Sequence, residues 1–411
     1  MQKRSQIKIE NIVTYIVIFD LVLGGTGRVI TIGGTSFRII MMAVLLALEF
    51  LMLVKKPFVI DLHNRIFILI VVIFVLDLFL GIMLNNPAFA IDEFSGYMTI
   101  MIIPFFILRY KNNYLTASSD FAFFHRLLVV FSLLSIGIWT YAMLRGIGAY
   151  AQIRALLDQY WYGSISFIGH IPRIFLKSSI FVPIGLLFSL DNLWNKKRNS
   201  LLCIIEIIIF FITILTTFTV AFYVFSAFVV VLYLVKVKKR VNIIRIVLSG
   251  VIIGSIAIII LHNTGAIDIL MSRFSGEYSV SIKIEEAQQI IEEWVSSPIF
   301  GYGFGHTIDF NLNYIQKTNS YRYEVMWLQL LCHTGLIGTI PFIMHVFITE
   351  KRLQRSYLIS KETLCFIIEL GVLFICLVSF TNPFMNNSIG LIFYSMAVGV
   401  ADGLKGEGKG R

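Results

Sequence analysis

Residues able to hold an anion or move a proton gather in two stretches of the chain, 145–173 and 262–324. The first carries Arg145, Arg154 and Arg173, with Lys177 just beyond it. The second carries Arg273, Lys283, Lys317 and Arg322, and it ends on Glu324. Arg28 and Arg38 flank a short turn near the N-terminus. A guanidinium presents a planar fork that bonds two phosphate oxygens at once, so a set of this kind suits a phosphate or diphosphate. Any one of these charges reads equally well as a solvated loop residue. Glu324 can orient or deprotonate a hydroxyl. The competing reading is a carboxylate held by a helix N-terminus, an interaction of up to about 1 kcal/mol that also weakens it as a base. Tyr160, Trp161, Tyr162, Tyr302 and Tyr321 are interleaved with the charges. Such rings stack on sugar faces or anchor a chain at a membrane interface. No set of His, Cys, Asp and Glu has the spacing of metal ligands, so chemistry without a metal or other cofactor is expected.

Two features inside 262–324 have to position these groups. From Lys283 to Trp294 the pattern predicts an amphipathic helix lying across the outer mouth of a bundle. Ile284, Ala287, Ile290, Ile291 and Trp294 share one stripe, and Glu285, Glu286, Gln289, Glu292 and Glu293 fall on the other side. Ser281 is placed to cap its start, and Ser296-Ser297-Pro298 to stop it. The run from Pro298 to Gly305 (Pro-Ile-Phe-Gly-Tyr-Gly-Phe-Gly) is permissive backbone. No Lys-Ser/Thr follows it and no strand pattern precedes it, so it reads as a structural turn and not a phosphate loop.

The rest of the chain reads as a scaffold for these loops. Of 411 residues, 57% are hydrophobic and only 14% charged, against about half and a quarter in soluble domains. The apolar residues come in runs of about 18–22, enough for a helix to cross a hydrocarbon core. No alternating strand pattern appears, which leaves helices as the way to satisfy the backbone there. The expected fold is an all-α polytopic membrane protein, with 1–411 as a single transmembrane domain of about twelve helices. The spans fall near 11–30, 37–54, 66–84, 95–109, 124–144, 174–193, 201–217, 220–235, 243–261, 325–348, 362–380 and 388–403.

The net charge of +10 does not point to nucleic acid, because the basic residues sit in short clusters between apolar runs. With the N-terminus inside, 24 of the 34 Lys and Arg fall in cytoplasmic segments, the bias that orients membrane proteins. Both termini are thus expected in the cytoplasm, with loops 145–173 and 262–324 outside. The short outer loop 85–94 carries Asp92 and Glu93 and no positive charge. Lys3, Arg4 and Lys8 precede the first run without a small-residue cleavage site, which predicts an uncleaved first helix. Cys203, Cys332, Cys365 and Cys376 lie in apolar segments and read as buried thiols. Asp20, Glu49, Asp77, Glu206 and Glu369 fall inside spans, where charge is costly and often functional. They either pair with His125, Arg28 or Arg38, or form a proton relay. A relay would suit a transporter, but the halves show no repeat and the largest loop is not at the midpoint.

The run Trp294 to Gly305, followed by the helix from Glu324 to Gly338 that ends Gly335-Leu336-Ile337-Gly338, resembles the O-antigen ligase/polymerase superfamily. Its hallmark is a Pro-x-x-Gly-x-Gly turn, a variable outer stretch and a His-Asn-led helix ending in Gly-Leu-x-Gly. Lys283 stands where this family often has Arg, and Arg173, after Gly-His-Ile-Pro, resembles the family's Arg at the end of the earlier outer loop. Glu324 occupies the position of the ligase His, eleven residues before Gly335. His306 and His333 do not match that position, and His333 is expected to be buried in the tenth span. The resemblance implies a metal-independent glycosyltransferase that joins repeat units carried on undecaprenyl pyrophosphate, at the outer face of a bacterial inner membrane. The missing His points to a polymerase. A ligase that transfers glycan to the lipid A core, and a flippase, are the alternatives. Glu324, Arg173 and Arg273 are the expected catalytic residues. Lys283, Arg322, Arg145, Arg154, Tyr302 and Tyr321 are the expected substrate-binding residues. The expected partners are a lipid-linked oligosaccharide donor and acceptor, the bilayer and a chain-length regulator protein.

Overall fold

A computed structural model describes residues 9–25, 31–32, 35–55, 61–111, 113–159, 162–168, 170–237, 277–312 and 315–403. In chain order its helices are α1 (Ile9–Leu23), α2 (Phe37–Lys55), α3 (Leu62–Leu84), α4 (Pro87–Tyr97), α5 (Ile103–Tyr110), α6 (Tyr114–Arg145) and α7 (Ile147–Gln159). After these come α8 (Val182–Trp194), α9 (Ser200–Thr216), α10 (Val220–Val237), α11 (Glu277–Trp294), α12 (Met326–Ser360), α13 (Thr363–Val378) and α14 (Ser388–Gly403). Among the described residues six helices are long and apolar enough to cross a membrane: α2, α3, α4 continued through α5, α6, α10 and α12. α9, α13 and α14 are apolar but shorter. The expected span 243–261 lies outside the described residues. The expected span 174–193 is only partly helical: it is the end of a strand, a 3-10 turn (Lys177–Phe181) and the thirteen-residue α8.

The all-α expectation needs one correction. Among the described residues there are three two-stranded antiparallel hairpins: Thr31–Ile32 with Thr35–Ser36, β3 (Gly163–Ile168) with β4 (Ile171–Leu176), and β5 (Ile308–Leu312) with β6 (Ile315–Ser320). The two longer ones fall in the segments read as outer loops. A pair of short strands satisfies its backbone locally, without the long alternation that would mark it in the sequence.

The chain divides into two compact units, Met1–Leu128 with Ile282–Arg411, and Val129–Ser281. In the first, α3 packs along α12, and α14 against α5 and α12. Ion pairs are set into this apolar mass. Arg38 Nε donates to Asp20 at 2.7 Å, and Arg109 holds Asp120 through two nitrogens at 2.8 and 2.9 Å. Both pairs are buried. Asp20 is therefore answered by Arg38, one of the partnerships open from the sequence. A charge is tolerable at such depth only when paired and hydrogen-bonded. In the second unit α8 packs on α9, and α7 on β3. There Glu206 accepts from Ser189 and Arg198, both at 2.9 Å.

Candidate functional site

In the first unit the site is built on a break in a helix. α12 is interrupted at Gly335, whose φ is +60° and ψ −166°. The break takes the Cys332 and His333 carbonyls out of the helical ladder. They accept instead from Tyr302 N at 3.1 Å and Gly303 N at 2.8 Å. On the far side, Leu336 N and Ile337 N donate to Pro298 O and Ile299 O at 3.0 and 3.1 Å. The glycine turn thus supplies the bonds that the break removes. Three more of its amides are engaged: Gly301 N donates to Ser297 O at 3.0 Å, Phe304 N to Asp77 O at 3.2 Å and Gly305 N to Glu93 at 2.8 Å. A turn with its N–H groups turned inward cannot cradle a phosphate. The motif is a splice between α3, α4 and α12, in keeping with its structural reading.

The segment 321–324, which leads into α12, alternates in burial. Tyr323 is buried, while Arg322 and Glu324 are exposed on the other side. A buried polar cluster pins the inner side. His333 Nδ1 lies 2.8 Å from both oxygens of Glu93 and its Nε2 lies 3.2 Å from the Tyr323 hydroxyl. That hydroxyl donates to His306 O at 3.0 Å. Gln329 donates to Glu93 at 2.8 Å and to Tyr321 O at 3.1 Å, and accepts from Tyr323 N and Asn386. Burial holds the Tyr323 phenol well above its usual range, so it stays a neutral donor. His306, whose ring lies 6.2 Å from that of His333, is pushed below the usual histidine range by burial and then by His333, against the pull of Glu293 at 3.1 Å.

On the outer side Glu324 meets Lys283: Nζ and Oε2 are 3.4 Å apart, with the carboxylate side chain 48% exposed. Lys283 also donates to Thr381 O at 2.6 Å, and Glu324 N donates to Glu286 at 2.6 Å. α12 begins at Met326 with Val325 at its cap, so Glu324 precedes the helix and does not open it. Two positions that differ from the ligase pattern are thus in direct contact. Arg322 bonds Asp92, and Tyr321 donates to the same carboxylate at 2.8 Å. The Tyr321 ring stacks on Phe89 at 4.3 Å, and the Tyr302 ring on His306 at 4.2 Å. Each of these two tyrosines has one ring face covered by protein.

The helix carrying Lys283 starts at Glu277, so Ser281 lies inside it and is not its cap. Its expected single apolar stripe is split in two: Ile290 is buried, whereas Ile284 and Ile291 are exposed.

In the second unit, Arg173 sits on β4 opposite Ser166. Its Nε donates to Thr217 O at 3.1 Å and its Nη2 to Thr219 Oγ1 at 3.3 Å, closing the carbonyl end of α9. Arg154 is exposed over the Tyr150 ring and bonds its hydroxyl. Arg145 ends α6, where a cation suits the helix dipole. Arg273, Arg28, Tyr160 and Trp161 lie outside the described residues.

Residues 204–343 match the family model described as O-antigen ligase. Over this stretch, 140 of the 411 residues, the chain is similar to the O-antigen ligase/polymerase superfamily. Members of this superfamily are glycosyltransferase-like enzymes. The matched stretch contains Lys283, the glycine turn, Glu324 and the break at Gly335, so the ion pair and the α12 side of the splice lie within it, while α3 and α4 lie outside it. No curated protein matches the chain. The sequence reading missed Glu93, Asp92, Glu286, Gln329 and Tyr323 as parts of the candidate site. One signal was available: Asp92 and Glu93 are adjacent acids in an outer loop without a positive charge.

Proposed function

We propose that the chain is a polysaccharide polymerase of the O-antigen type. It joins repeat units carried on undecaprenyl pyrophosphate at the outer face of a bacterial inner membrane. The acceptor hydroxyl oxygen forms a bond to the anomeric carbon of the donor sugar. The bond from that carbon to the diphosphate oxygen breaks, and the lipid diphosphate leaves as an anion. Glu324 orients the hydroxyl and takes its proton. The leaving group needs positive charge and not protonation; Lys283 and Arg322 supply it in the first unit, and Arg173, Arg273, Arg145 and Arg154 are the further cations assigned to this step from the sequence alone. The reaction needs no metal.

The observation that carries this reading is the Lys283–Glu324 pair, a cation for the leaving group beside an exposed carboxylate for the nucleophile. Glu324 in place of the ligase His favours polymerisation over transfer to lipid A core. With one ring face each on Phe89 and His306, Tyr321 and Tyr302 shape the floor of the site. The bias of Lys and Arg supports cytoplasmic termini, and a chain-length regulator is the partner we assign. The test is deletion of the gene in its host with the surface glycan separated on a gel. Loss of a polymerase leaves single-repeat caps. Bare core with lipid-linked polymer behind it would make the protein a ligase, and neither polymer nor capped core a flippase.

A further inference from the structure

α11 has apolar residues on two opposite faces. One face is turned into the first unit: Ile282 and Ile290 are buried beside Tyr323 and Cys332. The other carries Ile284, Ile291 and Val295, which are 53%, 43% and 62% exposed. Their spacing of seven and four residues places them on one side of the helix. Ile299 and Phe300, in the turn that follows, are 53% and 63% exposed. A contiguous exposed apolar surface of this kind marks an interaction site.

What covers it is indicated by where it leads. The backbone of 298–299 is bonded to Leu336 and Ile337 of α12, and those side chains are themselves exposed. α12 is long and apolar enough to cross a membrane, so its exposed apolar side chains face lipid. The surface runs from the lipid-facing side of α12, through Ile299 and Phe300, to Val295, Ile291 and Ile284, with Gln288 and Ser296 as exposed polar residues along it, a mixture suited to a headgroup layer. Glu285 and Glu292 border this stripe on one flank of α11 and Lys283 on the other, as in helices that lie in the plane of a bilayer interface.

We infer that the exposed face of α11, with Ile299 and Phe300, is seated in the headgroup layer of the bilayer. The occupant is lipid. This deepens the proposed function and rests on it in one respect: it explains why the substrate is bilayer-borne. Lys283 directly precedes Ile284 and extends a charged head from an apolar stem. With Ile284 at the boundary of headgroup and acyl chain, the Lys283 ammonium and Glu324 stand at the level of a lipid-linked diphosphate.

The experiment is a depth measurement on the full chain reconstituted in phosphatidylethanolamine/phosphatidylglycerol nanodiscs. A nitroxide is attached to Ile284→Cys, Ile291→Cys or Val295→Cys, with the signal of the unsubstituted chain subtracted and Glu292→Cys as the control. At 284, 291 and 295 collisions with oxygen should exceed those with a water-soluble nickel chelate at least threefold, and at 292 the order should reverse. A label at 291 that favours the nickel chelate, or is closed to both reagents because protein covers it, overturns the lipid seat. The measurement needs no activity. If the labels report lipid while Glu324→Ala leaves the glycan ladder intact, the seat stands and the transferase reading falls.

Discussion

Replacing Gly303 with Ala tests whether the glycine turn is the splice that holds the site. Gly303 has φ +78°, a conformation that costs an L-residue about 1–2 kcal/mol. An added Cβ would lie 2.6 Å from Gly81 N and 2.9 Å from Gly81 Cα. Both are backbone atoms inside α3, so relief requires the turn to move, at about 1–3 kcal/mol for overpacking. Movement weakens the bonds from Tyr302 N and Gly303 N to the broken end of α12, worth about 0.5–1.5 kcal/mol each. The total is roughly 3–8 kcal/mol, a large share of the ~5–15 kcal/mol that holds a typical fold. Gly137 is the control: it lies inside α6, and a Cβ there meets nothing within 4 Å. Gly137→Ala should stabilise by about 0.5–1 kcal/mol. The assay is the thermal midpoint of the detergent-solubilised protein, followed by gel filtration, with the glycan ladder in complemented cells. Gly303→Ala should lower the midpoint steeply and abolish the ladder although no charged residue has changed. Equal midpoints for the two variants, with a full ladder for Gly303→Ala, would refute the splice.

Glu324→Ala and Arg173→Ala, at normal expression, should each abolish the ladder; an intact ladder removes that residue from the mechanism. The Lys283–Glu324 pair is partly exposed, 25% and 48%, and contributes at most about 1 kcal/mol, with about 0.5–1.5 kcal/mol more from the bond to Thr381 O, so Lys283→Ala should lower the thermal midpoint modestly while polymer is lost. Tyr323→Phe removes the hydroxyl between His333 and the His306 carbonyl and should cost about 0.5–1.5 kcal/mol, read as a lower midpoint. His306 binds a proton less readily folded than unfolded, since burial lowers it from 6.5. The unfolded state then takes up more protons, and stability should fall as pH drops below about 6.5 through the lowered folded value. His306→Gln should flatten that part of the pH–stability curve, and an unchanged slope would remove His306 as its source.

Hydropathy, charge bias and the Pro-x-x-Gly-x-Gly turn are local or periodic properties of the chain, and they can be read without a fold. The membrane-helix character, the superfamily likeness and the amphipathic α11 were legible for that reason. So was the burial of His333, because it stands in an apolar run. The contacts that make a site are not local. Glu93 and His333 meet across 240 residues of sequence, and no spacing rule announces them. That Glu324 stands ahead of α12 against Lys283, and not on the helix, depends on where Gly335 breaks α12 and on the turn that fills the break. The split of the α11 stripe into a buried and an exposed face likewise required knowing which side of the helix the core occupies. Composition and periodicity determine which segments become apolar helices, because each such segment satisfies its own backbone. Tertiary structure alone decided which charges meet, because that depends on backbone approach at a few glycines.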